Sequence, residues 1–207
     1  MDTTYLITSF VTLFVVIDPL GLIPLFIALT QGMAPDRRRA VGLRACMIAA
    51  VLLTLFGLFG QKLLDFVGIS MPAFRIAGGI LLFLTALDML FERRTQRREG
   101  QMPDADHDPS VFPLAMPLIA GPGALAAMIL LVGQSGPGWQ GTALVLGLML
   151  GVIALIFMLF LAAGPIERAL GRTGTMVITR LLGMLLAALS VQFVIDGIIG
   201  TGLIGPA

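Results

Sequence analysis

Charge is the scarcest property of this sequence. Only 12% of its 207 residues are Asp, Glu, Lys or Arg, where a soluble domain uses roughly a quarter to cover its surface. That shortfall excludes an ordinary water-soluble globular protein. Histidine and cysteine are nearly absent as well: His107 and Cys46 are each alone. A single cysteine excludes an intramolecular disulfide. A single histidine leaves no basis for a metal site of the usual His/Cys kind, and no metal or other cofactor is expected. Cys46 lies in an apolar run and reads as a small core side chain. The net charge is +1 and no basic face stands out from the loops, so no nucleic-acid partner is expected. No histidine, cysteine cluster or pair of acids at ligand spacing falls inside the apolar segments, which points away from an intramembrane enzyme.

What the chain has in quantity is apolar surface, with 57% hydrophobic residues and a mean hydropathy of +1.00. Six segments, 4–30, 41–61, 69–91, 111–133, 141–164 and 176–199, are each long enough to cross a hydrocarbon core. The lipid bilayer is the expected partner. The Gly133-Gln134-Ser135-Gly136-Pro137-Gly138 run is turn chemistry separating the fourth and fifth segments, and Trp139 follows where an interfacial anchor belongs. The N-terminus has no basic region ahead of its first apolar run, so that run reads as a retained span rather than a cleaved leader. Segment 92–110 is basic (Arg93, Arg94, Arg97, Arg98) and then acidic (Asp104, Asp106, Asp108), and reads as a solvated linker between repeats at 4–91 and 111–199. Eleven of the 13 Lys and Arg fall in or beside the first, third and fifth loops, and only Lys62 and Arg75 on the other side. The positive-inside rule puts those three loops in the cytoplasm and both termini outside.

The two halves resemble each other. Asp18-Pro19-Leu20-Gly21 aligns with Gly121-Pro122-Gly123-Ala124. Arg75, Gly78 and Thr85 have the spacing of Arg180, Gly183 and Ser190, which places each set on one broad helical face. Three spans per half require the second half to enter the membrane from the opposite side. The expected fold is an all-α membrane protein of six transmembrane helices, built as two inverted-topology three-helix repeats. Such repeats recur in secondary transporters, with the site at the repeat interface near the midplane.

Helices 1 and 4 are expected to be broken. Proline removes a backbone donor and disfavours helical conformation in the residue before it. Asp18 is therefore placed to cap a new half-helix with Pro19 at its first position, and Gly121-Pro122 repeats the device. Pro113 and Pro117 loosen the fourth span further. Two half-helix N-termini near the bilayer centre need a partner that lipid cannot supply, and an anionic group such as a carboxylate suits them. The candidate substrate-binding residues are Asp18, Pro19, Gly21, Gly121, Pro122, Gly123, Thr85 and Ser190. Asp18 stands between two readings, a plain helix cap and a functional acid. Asp196 and Gln192 share a face and could hydrogen-bond across helices. Gly147 and Gly151 have helix-packing spacing.

The runs from Ile17 to Phe26 and from Ala120 to Pro122, Phe74-Arg75-Ile76-Ala77-Gly78-Gly79-Ile80, and Arg180 to Gly183 continuing to Asp196-Gly197-Ile198 resemble the MarC-type family of bacterial inner-membrane proteins. The resemblance covers nearly the whole chain. It implies six spans, a place among LysE-like exporters and, from some similar proteins, transport of small neutral amino acids such as glycine and alanine. Leu22 stands where many members carry Asn. The leading reading is a secondary transporter or exporter of a small metabolite. A channel, or a non-transporting scaffold, is the alternative, and self-association is left open.

Overall fold

In a computed structural model, residues 3–91, 108–136 and 138–202 are described. Helices account for nearly all of them, and no strand occurs among them. Most of the 92–110 linker, including His107 and the arginine run, lies outside the described residues.

The first span consists of α1, Thr3–Ile17, and α2, Pro19–Leu29, with Asp18 between them. Asp18 adopts a left-handed backbone, φ 57° and ψ 66°. Its N–H still donates to the Phe14 carbonyl at 3.0 Å, and its own carbonyl accepts from Leu22 N–H at 3.1 Å. The interruption is thus local. The two pieces remain one 27-residue span.

Helix α3, Pro35–Val67, runs for 33 residues, about 50 Å at the helical rise and well beyond a core of about 30 Å. It is longer than segment 41–61 because hydropathy sees only the apolar part. Pro35 opens the helix, the Arg37–Arg39 run prolongs it at one end, and Lys62 and Asp65 continue it at the other until Gly68 stops it at φ 78°. Helix α4 is Met71–Leu90, capped by Ser70, whose hydroxyl accepts from Ala73 N–H at 3.3 Å.

The fourth span is irregular. In Ser110–Ile119, Phe112 and Met116 are extended (φ −127° and −131°) and each precedes a proline, as the clash between a proline ring and the preceding residue requires. Helix α5, Pro122–Gln134, follows at an angle of 53°. Helix α6 is Trp139–Leu161 and α7 is Ala163–Gly200. The stretch before 176, expected as a loop, is helical from Ala163 and broken only at Gly171, φ 61°. Among the described residues five helices are long and apolar enough to cross a membrane, six with the bent pair counted as one span.

The spans pack across the two halves of the chain. Helix α4 lies along α7 in the most extensive contact. Helix α3 packs on α6, α5 and the 110–119 segment, while α1 packs on α5, α6 and α7. Neighbours in sequence, α3 with α4 and α6 with α7, touch little. The α4–α7 contact is close because of glycine: a Cβ on Gly79 would stand 2.8 Å from the Ser190 carbonyl oxygen, and one on Gly197 would stand 3.0 Å from the Pro72 carbonyl oxygen. Gly147 and Gly151 do not play this part, since nothing lies within 4 Å of where their Cβ atoms would be. Their spacing does not signal packing within this chain.

Polarity is inverted relative to a soluble protein. Met47, Val51, Leu55 and Leu58 along α3 are exposed, as are Leu181, Met184 and Leu185 on α7. These are surfaces for lipid. Ser9, Thr12, Asp18, Ser110 and Ser190 are buried, as is Cys46, in keeping with a core role. Where α2, α3 and α6 meet, the Phe26 and Phe160 rings stack at 4.1 Å, and the Arg38 guanidinium sits 5.1 Å from the Phe26 centroid. Gly42 leaves room for both rings, each 3.4 Å from its would-be Cβ.

Candidate functional site

The interruption at Asp18 is built from three consecutive demands. Pro19 cannot supply an N–H, so the first turn of α2 starts from a residue that must accept hydrogen bonds. Asp18 does so: its Oδ1 accepts from Gly21 N–H at 3.1 Å. Gly21 is needed because a Cβ there would overlap the Asp18 carboxyl group. Asp and Asn tolerate the left-handed region better than other side chains do, so the cap and the backbone ask for the same residue type. Asp18 is 1% exposed, which makes it the one fully buried acid among the described residues. A carboxyl group at this depth is held only where hydrogen bonds replace water. Pro19 and Leu22 are buried beside it.

The second interruption has different chemistry. Gly121 is extended, and a Cβ on it would meet the Pro117 carbonyl oxygen at 2.5 Å. Pro122 begins α5, and no side chain caps that helix. Its ring is exposed, so it stands outside the buried meeting point. Gly123 is buried in it: its would-be Cβ lies 3.3 Å from Thr85 Oγ1 and 3.5 Å from Val16 Cγ1. The first turn of α5 is therefore seated between the last turn of α1 and the middle of α4. The two interruptions come together within two residues of each, and Thr85 joins them, its hydroxyl also donating to the Leu81 carbonyl at 3.0 Å.

Ser190 is used otherwise. It is buried in the α4–α7 contact, where its hydroxyl donates to Ala187 at 2.7 Å and its carbonyl faces Gly79. The two Arg-Gly-hydroxyl stripes differ accordingly. Gly78 meets Leu130 and Ala126 of α5, whereas Gly183 meets Met89 and Ala86 of α4. Gly79, one residue further on, makes the contact with α7. Asp196 and Gln192 bond to each other at 2.7 Å within α7, not across helices. Among the described residues no three His, Cys, Asp or Glu side chains cluster as metal ligands would.

Two features go beyond the sequence reading. Arg44 of α3 forms an ion pair with Asp108, whose carboxyl also accepts from Ser110 N–H at 3.0 Å. Partial burial raises the Asp108 pKa, but the Ser110 amide and Arg44 outweigh it and hold the carboxyl below its usual range. The other feature is on α1. Tyr5 donates to the Leu131 carbonyl at 2.6 Å, tying the start of α1 to the end of α5. Residues 5, 9, 12 and 16 share one helical face, a signal visible in the sequence once α1 is known to be buried there.

An all-helical chain with apolar side chains facing outward and its polar groups turned inward at mid-span is an integral membrane protein. It belongs to the MarC family of integral membrane proteins, whose profile matches residues 3–201. It is 40% identical over 199 residues to a UPF0056 membrane protein of Archaeoglobus fulgidus, covering 94% of this chain and 92% of that one. It is 36% identical to the UPF0056 inner membrane protein YhgN of Escherichia coli K12, with 93% and 95% covered. It is 35% identical to YvbG of Bacillus subtilis, with 99% and 97% covered. No solved structure matches the chain.

Proposed function

We propose that this protein is a secondary transporter or exporter of a small metabolite, of the class of small neutral amino acids. Its site is the midplane crossing of the first and fourth spans. The observation that carries the reading is the seat of Gly123 against Val16 and Thr85, which joins an uncapped helix start to a buried acid. A zwitterion suits that pair: its carboxylate meets the free N–H groups of α5 and its ammonium meets Asp18. The small residues Gly121, Gly123 and Ala124 at the start of α5 suit a ligand with a short side chain.

The packing of spans across the two halves supports an inverted-topology repeat. Exchanging the halves turns α3–α6 and α4–α7 into themselves and relates the contact of α2 with α7 to that of α4 with α5. On this reading the arginine-rich ends lie in the cytoplasm and both termini outside, in a membrane of the kind that YhgN is named for. Impermeant thiol labelling of Gln101→Cys in a Cys46→Ala background is expected to fail in intact cells and succeed in inverted vesicles. Labelling in intact cells would reverse the orientation.

Asp18→Asn tests the site. Asn caps helices and accepts left-handed backbone nearly as well as Asp, so the fold is expected to hold. Uptake of labelled glycine or alanine into proteoliposomes is expected to fall by about tenfold or more, the factor for 1.4 kcal/mol of lost interaction. Wild-type uptake by Asp18→Asn would reduce Asp18 to a cap. Flux that neither saturates nor shows counterflow would favour a channel.

A further inference from the structure

Serine and threonine in a helix ordinarily return their hydroxyl to a carbonyl three or four residues back. Thr30, Thr85, Thr175 and Ser190 all do so here. Ser9 and Thr12 of α1 do not. Both residues are 0% exposed, and neither hydroxyl has a hydrogen-bond partner. A buried hydroxyl left unmet costs about 1–3 kcal/mol, so two on one helix call for an occupant that bonds to both.

Their position says what it is. On a helical wheel Tyr5, Ser9, Thr12 and Val16 form a stripe about 60° wide. Its two ends both touch α5: Tyr5 bonds to Leu131 at the end of that helix, and Val16 packs on Gly123 at its start. The two free hydroxyls lie between these points, so they face α5 too. The α5 face between Gly123 and Leu131 centres on Ala127, small and buried. The Tyr5 hydroxyl stands beside Ser9, one turn along the same stripe. The stripe is about 16 Å long at the helical rise, roughly half a hydrocarbon core, and it ends two residues from Asp18.

We propose that Ser9 and Thr12 line a file of water leading from the N-terminal side of α1 to Asp18, with the Tyr5–Leu131 hydrogen bond as its latch. Hydroxyls that both donate and accept, opposite a small apolar wall, suit water better than any ion. The file gives the Asp18 carboxyl a route for protons from the N-terminal side of α1. Assigning that route a part in transport rests on the function proposed above; the file itself does not.

The test is the rate at which a small impermeant thiol reagent modifies Ser9→Cys and Thr12→Cys, each nearly isosteric, in a Cys46→Ala background. Vesicles of both orientations are used, and Thr3→Cys marks the N-terminal side of α1. Both cysteines are expected to react from that side. Leu13→Cys, buried on the apolar face, and Ile7→Cys, on the lipid face, are expected to stay unmodified. Adding Tyr5→Phe is expected to speed both reactions about tenfold, the factor for one hydrogen bond of about 1.4 kcal/mol. Rates no greater than that of Leu13→Cys, or reaction only from the opposite side, would overturn the water file. Reaction as expected in a protein that moves neither glycine nor alanine would uphold the file and sink the transport reading alone.

Discussion

Gly21→Ala is expected to destabilise the protein by about 2–4 kcal/mol, the sum of an overpacking strain and a lost helix cap. The cause is specific. The new methyl group would occupy the place of the Asp18 carboxyl, so either the carboxyl leaves Gly21 N–H or α2 shifts as a body. Removing the acid should relieve the conflict. In Asp18→Gly/Gly21→Ala the left-handed residue becomes the type that adopts φ 57° without strain, and glycine serves as a helix cap at a cost of only a few tenths of a kcal/mol against Asp. The double variant is expected to recover to within about 1 kcal/mol of wild type, without the uptake proposed above. Thermal unfolding in detergent measures the stability of both variants. A double variant no more stable than Gly21→Ala would show that the clash lies elsewhere than at Asp18.

The second large effect is expected at the α4–α7 contact. Gly197→Leu places a branched side chain where a single Cβ already meets Ile76 Cγ1 at 2.6 Å and the Pro72 carbonyl oxygen at 3.0 Å. Backbone atoms cannot swing aside as a side-chain tip can. The helices must separate, and lipid gives no hydrophobic force to draw them back, because packing itself drives association inside a bilayer. A loss of more than about 3 kcal/mol is expected, read as loss of monodisperse protein after extraction. Gly147→Leu and Gly151→Leu are the controls. Both point into open space, and each is expected to change stability by less than about 0.5 kcal/mol. Equal damage from all three would mean that α6 packs against something outside this chain.

These contrasts show where sequence reasoning reached and where it stopped. Asp18-Pro19-Leu20-Gly21 was readable as a cap and a helix start because proline sterics act within a residue or two. The left-handed backbone at Asp18 was not, since a cap is more often extended. Pro113 and Pro117 signalled a loosened helix, and the extended Phe112 and Met116 follow from the same rule applied one residue earlier. Hydropathy located the spans yet shortened α3, because charged residues prolong a helix into water without adding apolar length. Glycine spacing was ambiguous. Gly147 and Gly151 carry the same local pattern as a packing motif, but what faces a helix is decided by the rest of the fold. For the same reason Ser9 and Thr12 looked ordinary. Their burial without partners, two on one face of one helix, is visible only in the fold.

The pairing of spans across the two halves also sets how long each span waits for its partner during synthesis. Helix α4 is complete at Leu90, but α7, the surface it packs on, ends at Gly200. At about 5–20 residues per second, the wait on the ribosome is on the order of 5–20 s. Through that interval the first half lies in the bilayer with its Gly79 notch unfilled, and for the first part of it, until α5 is complete at Gln134, Asp18 also lacks its neighbours on that helix. Truncation near Leu161 should leave a chain that inserts but is cleared from the membrane much faster than the whole.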